Sequence, residues 1–269
     1  MESARKALLD TLEALEIHLD ALVLVGAQAV YLHTTDFDSE VAPATFDADF
    51  AIDVASLQTK PDIEFILTDN DFIYAENGNP GQWLSPEGIP VDIMVPKKIS
   101  GRPGNGRSAR LEGHANKSVR VTEGLEGCVV SNSMMEIASL VPGDSRKFNL
   151  KVANPSSIII AKSFKIAEHL RANRRIENKD SFDIFRLLAH VPIQNLVAQF
   201  EVLISNDLSR ETTLKGLKYF ENLFTANVDA PGILAIGASV QGLGNVQIRK
   251  ASAFTLSKEL LNAISNLIS

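Results

Sequence analysis

Cysteine is almost missing from this chain: Cys128 is the only one in 269 residues. A single thiol excludes an internal disulfide and any zinc site built from several cysteines. It fits a reducing, cytoplasmic setting. The five histidines are scattered and form no H-E-x-x-H pair. No G-x-S-x-G is present, which removes the mark of a serine hydrolase on an α/β sheet. No apolar run approaches the ~20 residues needed to span a bilayer. Met1 to Leu24 mixes acids and bases through its apolar positions, unlike a signal peptide. Repeats and low-complexity tracts are absent. So is any overall excess of positive charge: at −7 net, contact with RNA or DNA would need a local basic patch.

What is there suits a folded chain. Hydrophobic residues make up 45% and charged residues 22%, enough for a sizeable core, and the length favours two modest domains. Residues 3–20 place Leu8, Leu9, Leu12, Leu15 and Ile17 near helical spacing. Ala21 to Val25 is a short apolar run ending in Gly26, the pattern of a buried strand, and Gln28 to His33 then reads as helix. An acidic loop, Thr34 to Ala44, leads to Asp47–Val54, where acids alternate with apolar residues as on a strand with one polar face. Ile63 to Asp69 is readable as helix or strand. Trp83 to Pro96 forms a hairpin pattern around Pro86-Glu87-Gly88. Lys97 to Arg110 is glycine- and arginine-rich and reads as an exposed loop. Residues 119–141 read as short strands with a small helix.

Asn154-Pro155 is a helix start, with Asn in the capping position and Pro in the first turn. Helices follow to about Leu170, over about Asp180–Leu188, and near 193–204, 208–224 and 254–268. Gly232 to Gly244 is apolar and dotted with glycine. The expected architecture is an α/β sheet with flanking helices over residues 1–145 and a helical half over 146–269.

Asp47 and Asp49 lie two apart, so both side chains leave one strand face about 6.6–6.8 Å apart. Two such acids repel unless a cation neutralises them, and a divalent metal does so well. The plainer alternative is a solvent-facing edge strand. Asp92 stands alone in the apolar run Ile89-Pro-Val-Asp-Ile-Met-Val, where an unpaired acid is costly to bury. A neighbouring strand can bring it beside the other two. Three acids around a metal equip a site for phosphoryl transfer. Gly26-Ala27, between strand and helix, lets phosphates approach backbone N–H groups.

Taken in order, Val25-Gly26-Ala27-Gln28-Ala29, Thr45-Phe46-Asp47-Ala48-Asp49 and Val91-Asp92-Ile93 resemble the nucleotidyltransferase superfamily. The resemblance implies that Asp47 and Asp49 bind Mg²⁺ (or Mn²⁺). Asp92 then either activates the attacking hydroxyl or completes the metal site. Further on, Pro155, Lys162 and Lys179-Asp180-Ser181-Phe182-Asp183 resemble AbiEii-type and MenT-type nucleotidyltransferases, among them toxins of toxin–antitoxin and phage-defence systems. That resemblance implies that Lys162 contacts triphosphate and that Asp180 or Asp183 supports the site. Lys165 competes for the lysine role, with Lys162 favoured by its distance from Pro155. The match covers roughly residues 21–190 and leaves the tail outside. One departure is the Gly26-Ala27 turn, where many relatives have Gly-Gly or Gly-Ser; a serine's hydrogen bond to phosphate is lost.

The implied activity moves NMP from an NTP to a hydroxyl, on a tRNA 3′ end, a protein or a small molecule, with an antitoxin protein as an implied partner and no membrane. The alternative is a nucleotide- or partner-binding module on the same scaffold that no longer catalyses. Other features read as structural. Arg102, Arg107 and Arg110 suit a solvated loop or a nucleic-acid backbone, and Arg171, Arg174 and Arg175 suit a helix end. His33 and His114 could touch the site but read more readily as structural, and Cys128 reads as a small core residue.

Overall fold

The computed structural model describes residues 1–35, 37, 41–75, 78–174 and 176–268, the side chain of Ile268 excepted. Parts of the Thr34–Ala44 loop, and Arg175, therefore lie outside the described residues. The chain divides into two compact units: residues 1–29 with 44–153, and residues 30–43 with 154–269.

The first unit opens with α1 (Glu2–Ala14), which buries Ala4, Ala7, Leu8, Leu9 and Leu12 as its apolar spacing requires. A 3₁₀ turn, Glu16–Ala21, leads into β1 (Leu22–Leu24), all three residues buried. Helix α2 (Gly26–His33) follows at once, and then β2 (Ala48–Ile52). Ile63–Asp69, readable either way in sequence, is helix α3; Asp62 caps it by accepting from Glu64 N at 3.0 Å. The remaining elements are β3 (Ile73–Tyr74), β4 (Gln82–Leu84), β5 (Pro90–Pro96), β6 (Arg120–Thr122), α4 (Glu126–Val130), β7 (Asn132–Ala138) and β8 (Lys147–Ala153).

These strands make one mixed eight-stranded sheet in the order β3-β4-β5-β2-β1-β8-β7, with β6 also paired to β5. Strand β1 runs antiparallel to β2 and parallel to β8; β2 and β5 are parallel; β4 and β5 form the antiparallel hairpin expected around Pro86–Gly88. The expected boundary at 145/146 moves to 153/154. Strand β8 supplies the physical reason, since it pairs with both β1 and β7 and so belongs to the sheet.

The second unit is helical: α5 (Pro155–Arg171), α6 (Asn178–His190), α7 (Ile193–Ser205), α8 (Arg210–Phe224), α9 (Pro231–Ser239), α10 (Val246–Ala263) and α11 (Ser265–Ile268). Its core is aromatic, with Phe182, Phe185, Phe200, Phe220 and Phe224 fully buried. Asn154 takes the N-cap position of α5 without a side-chain cap hydrogen bond, and Pro155 opens the helix. The glycine-dotted segment 232–244 begins in helix α9. Gly232 explains its glycine: a Cβ there would come 2.3 Å from the Phe224 ring, so only glycine allows this approach. Among the described residues no single helix is long and apolar enough to cross a membrane.

Candidate active site

Strand pairing sets the acids. Asp49 on β2 lies directly opposite Asp92 on β5 in a parallel register. Paired residues of adjacent strands leave the same face of a sheet, about 4.8 Å apart at the backbone. Both acids are half-buried. Asp47 sits one residue before β2, and alternation carries its side chain to that same face. Thr45 Oγ1 donates to Asp47 Oδ1, and Gln28 Nε2 donates to the Asp47 carbonyl at 3.1 Å.

Gln28 is a positioning residue that sequence reasoning passed over. Its carboxamide is buried, accepts from Arg5 Nε at 2.9 Å, and donates to the Ala4 carbonyl at 3.0 Å as well as to Asp47. Arg5 in turn donates to the Ala138 carbonyl at 2.9 Å. One amide thus ties the first helix, the turn after β1 and the approach to β2 together. Such fully satisfied buried networks rigidify what they hold.

Gly26 is required twice over. Its φ is +69°, a left-handed conformation that side chains disfavour. A Cβ there would stand 2.0 Å from Asp49 Oδ2. The Asp49 carboxylate therefore rests against the first residue of α2, where backbone N–H groups and the positive end of the helix dipole favour negative charge. Backbone pairing fixes this approach, with Val25 N donating to the Asp49 carbonyl at 3.0 Å. Ala27, next in the turn, is buried.

A second group missed in sequence is Arg120. It opens β6, and its Nη2 donates to Asp92 Oδ2 at 2.9 Å, with side chains 25% and 20% exposed. No spacing rule links positions 92 and 120; only the β5–β6 pairing joins them. The Gly/Arg stretch between is more structured than expected. It begins with a 3₁₀ turn at Lys97–Ile99, and Arg110 N donates to Ser100 O at 2.8 Å while Val121 N donates to Arg107 O at 2.7 Å.

Lys162 belongs to the helical unit. On α5 its Nζ lies 2.8 Å from Asp180 Oδ1 and 2.8 Å from Asp183 Oδ2, both on the first turns of α6. Lys165, half-exposed, reaches Asp180 Oδ2 at 2.9 Å. Burial works against the Lys162 charge, but Asp180 and Asp183 outweigh it and raise the ammonium's pKa. Burial likewise opposes the Asp180 charge, and Lys162 and Lys165 overcome it, pulling that carboxyl well below its ordinary range. The lysine and the paired acids are thus one buried ionic cluster.

Two other residues read from the sequence, His114 and Cys128, lie in the interior. His114 is buried; its Nδ1 accepts from Ile63 N at 3.1 Å, which leaves the proton on Nε2, facing the Gln58 carbonyl at 2.9 Å. Cys128 is fully buried.

No family model matches the chain, and no curated protein matches it. A crystal structure from H. pylori, provisionally described as a nucleotidyltransferase, is similar over 97% of this chain and 93% of its own, at 12% identity and a TM-score of 0.39. A likeness of that degree assigns neither family nor activity.

The acids' donors are all carboxylate oxygens, the hard set that Mg²⁺ and Mn²⁺ prefer. The side-by-side pair Asp49 and Asp92 suits such an ion, and glycine at 26 lets the Asp49 carboxylate sit where it does. Among the described residues no three His, Cys, Asp or Glu side chains are gathered as a ready cage. Arg120 engages Asp92 and Thr45 engages Asp47, so the third ligand needs a change of partner.

Proposed function

We propose that this chain is a metal-dependent nucleotidyltransferase, moving NMP from an NTP to a hydroxyl acceptor and releasing pyrophosphate. The observation that carries the reading is the register: Asp49 opposite Asp92 on parallel strands, with the Asp49 carboxylate against Gly26 at the start of a helix. Asp47 and Asp49 would hold the cation, with Asp92 as a third ligand or as the base. The bound cation supplies charge neutralisation on the reacting phosphate. Where Asp92 is the base, it takes the hydroxyl proton as the new oxygen–phosphorus bond forms and the bond to pyrophosphate breaks. A cation held by Asp49 would bring phosphate oxygens toward the start of α2, where the Asp49 carboxylate rests against Gly26. The Asp49–Asp92 row and the tied backbone of Asp47 keep these groups in place before substrate arrives.

The AbiEii-type and MenT-type resemblance, carried by Lys162 and the Lys179–Asp183 segment, extends the reading to a toxin of a toxin–antitoxin pair acting on a tRNA 3′ end. In that reading Lys162 or Lys165 meets the triphosphate, and Asp180 and Asp183 hold the lysine. The deciding experiment incubates the chain with each labelled NTP, Mg²⁺ and total RNA or lysate. Label in RNA supports the tRNA-directed reading, label in protein redirects the acceptor, and no label with any NTP overturns transfer.

A second reading has its own observation. Asp92 is engaged by Arg120, and Lys162 is engaged by two acids. A binding module that no longer catalyses would tolerate both. Calorimetric binding of an NTP with Mg²⁺, without transfer to any acceptor, would select it.

A further inference from the structure

Arg120 shares the face of the acids. Its partner on β5 is Met94, two residues beyond Asp92, so alternation places Arg120, Met94, Asp92 and Asp49 on one side of the sheet. Its backbone is fixed closely: a Cβ on Gly81 would meet Arg120 N at 2.4 Å. Yet the guanidinium is poorly used. Nη2 makes one bond to Asp92, and Nε is buried with no hydrogen-bond partner. A guanidinium is a fork of five donors suited to two-point contact with an oxyanion. A buried donor left unmatched is costly, and it marks a group poised for another partner. The surrounding charge agrees. Residues 97–120 hold seven Lys and Arg against the single acid Glu112, so this stretch is +6 while the rest of a −7 chain carries −13.

We propose that Arg120 is a phosphate-binding cation on the acids' own face of the sheet. It rests on Asp92 without nucleotide and transfers to the polyphosphate of an incoming NTP, freeing Asp92 for the metal. This rests on the nucleotidyltransferase reading above. The exchange keeps every charge matched: an Arg–carboxylate pair and a metal–phosphate pair become an Arg–phosphate pair and a metal–carboxylate pair. Phosphate offers the fork two oxygens at once and gives the orphaned Nε a partner. Asp92 is thereby held back until substrate is present.

The consequence is a pair of opposite effects that a purely structural arginine would not produce. In the full chain, Arg120→Ala should tighten Mn²⁺ binding without nucleotide, read from the free-Mn²⁺ resonance. Loss of a unit charge about 5 Å away corresponds to about fourfold in water-like surroundings. The same variant should weaken inorganic tripolyphosphate and ATP, titrated calorimetrically with Mg²⁺, by about tenfold or more, the loss of roughly one charge-assisted contact. Arg120→Gln keeps an N–H for Asp92 and should show the same two signs if the alanine variant folds poorly. Changes in the same direction, or none, overturn the proposal. So does a loss confined to a short RNA bearing no triphosphate, which would assign Arg120 to the acceptor. The underlying reading fails separately, if Mn²⁺ binds the wild type no better than it binds Asp49→Asn.

Discussion

At the scale of single residues the site turns on Gly26 and Asp49. Gly26→Ala imposes a left-handed conformation on a residue with a Cβ, at about 1–2 kcal/mol. It also places that Cβ where Asp49 Oδ2 now stands. The carboxylate must move, and a displacement of about 1 Å in a reacting constellation costs about a hundredfold in rate. Thermal melts should show a folded, modestly weakened protein, and transfer assays a much weaker one; unchanged turnover would detach Gly26 from the chemistry. Asp49→Asn should leave stability nearly level, since it relieves repulsion with Asp92 but gives up the favourable seat at the start of α2. Activity should fall about a thousandfold, the equivalent of roughly 4 kcal/mol of lost transition-state stabilisation. Near-normal turnover in Asp49→Asn would end the metal assignment.

Among elements, the α5–α6 pair decides the meaning of Lys162. Its ammonium is the counter-charge of two buried carboxylates, so Lys162→Met strands Asp183 and leaves Asp180 with Lys165 alone. Breaking a buried ionic group this way costs about 3–5 kcal/mol. Lys165→Ala, at a half-exposed position, should cost under about 1 kcal/mol. Denaturant melts of the two variants should separate by that margin; equal midpoints would show the cluster to be solvated. The pH dependence follows from the same charges. The Asp180 carboxyl is depressed in the folded state, so its contribution is full above the ordinary carboxyl range near about pH 4 and is lost as pH falls below it. Lys162 is raised, so its contribution is full below about pH 10 and is lost only as pH rises further. Stability should therefore be level through neutrality and decline below about pH 4, and Asp180→Asn should flatten that decline.

The same scale shows which features sequence reveals. Alternation over Asp47–Val54 and the isolated acid in Ile89–Val95 announced the two strands that carry the acids, because period-two patterning is local. Asn154-Pro155 announced α5 for the same reason. Strand β8 escaped because Lys147–Ala153 shows its reason only in pairing with β1 and β7, over 120 residues away in the first case. Arg120 and Gln28 escaped likewise: one meets Asp92 through strand pairing and the other meets Arg5 through packing, and neither contact leaves a spacing in the chain. The lysine and the Lys179–Asp183 acids were legible as a group, but not that the group is closed upon itself.

The whole molecule is discontinuous in sequence, and this has a direct consequence for how it can be cut. Ending the chain at residue 145 removes β8, which leaves β1 with a single neighbour and β7 with none. Ending it at 153 keeps the sheet entire. Amide exchange should then protect β1, β2 and β5 in fragment 1–153 but not in fragment 1–145. The helical side behaves differently, because residues 30–43 belong with it. Arg186 on α6 is buried at 1% exposure; its guanidinium lies 5.5 Å from the Tyr31 ring and 5.4 Å from that of Phe37, and it donates to the Val41 carbonyl. Phe37 also packs edge-on against Phe185 at 6.2 Å. Fragment 154–269 lacks this cover, so a buried arginine meets water beside an opened aromatic core. It should bind a hydrophobic dye and melt broadly. Joining residues 30–43 to its N-terminus through a flexible linker should restore a cooperative melt, since the linker turns a bimolecular association into an intramolecular one. Equal cooperativity with and without that segment would show that the helical core closes on its own.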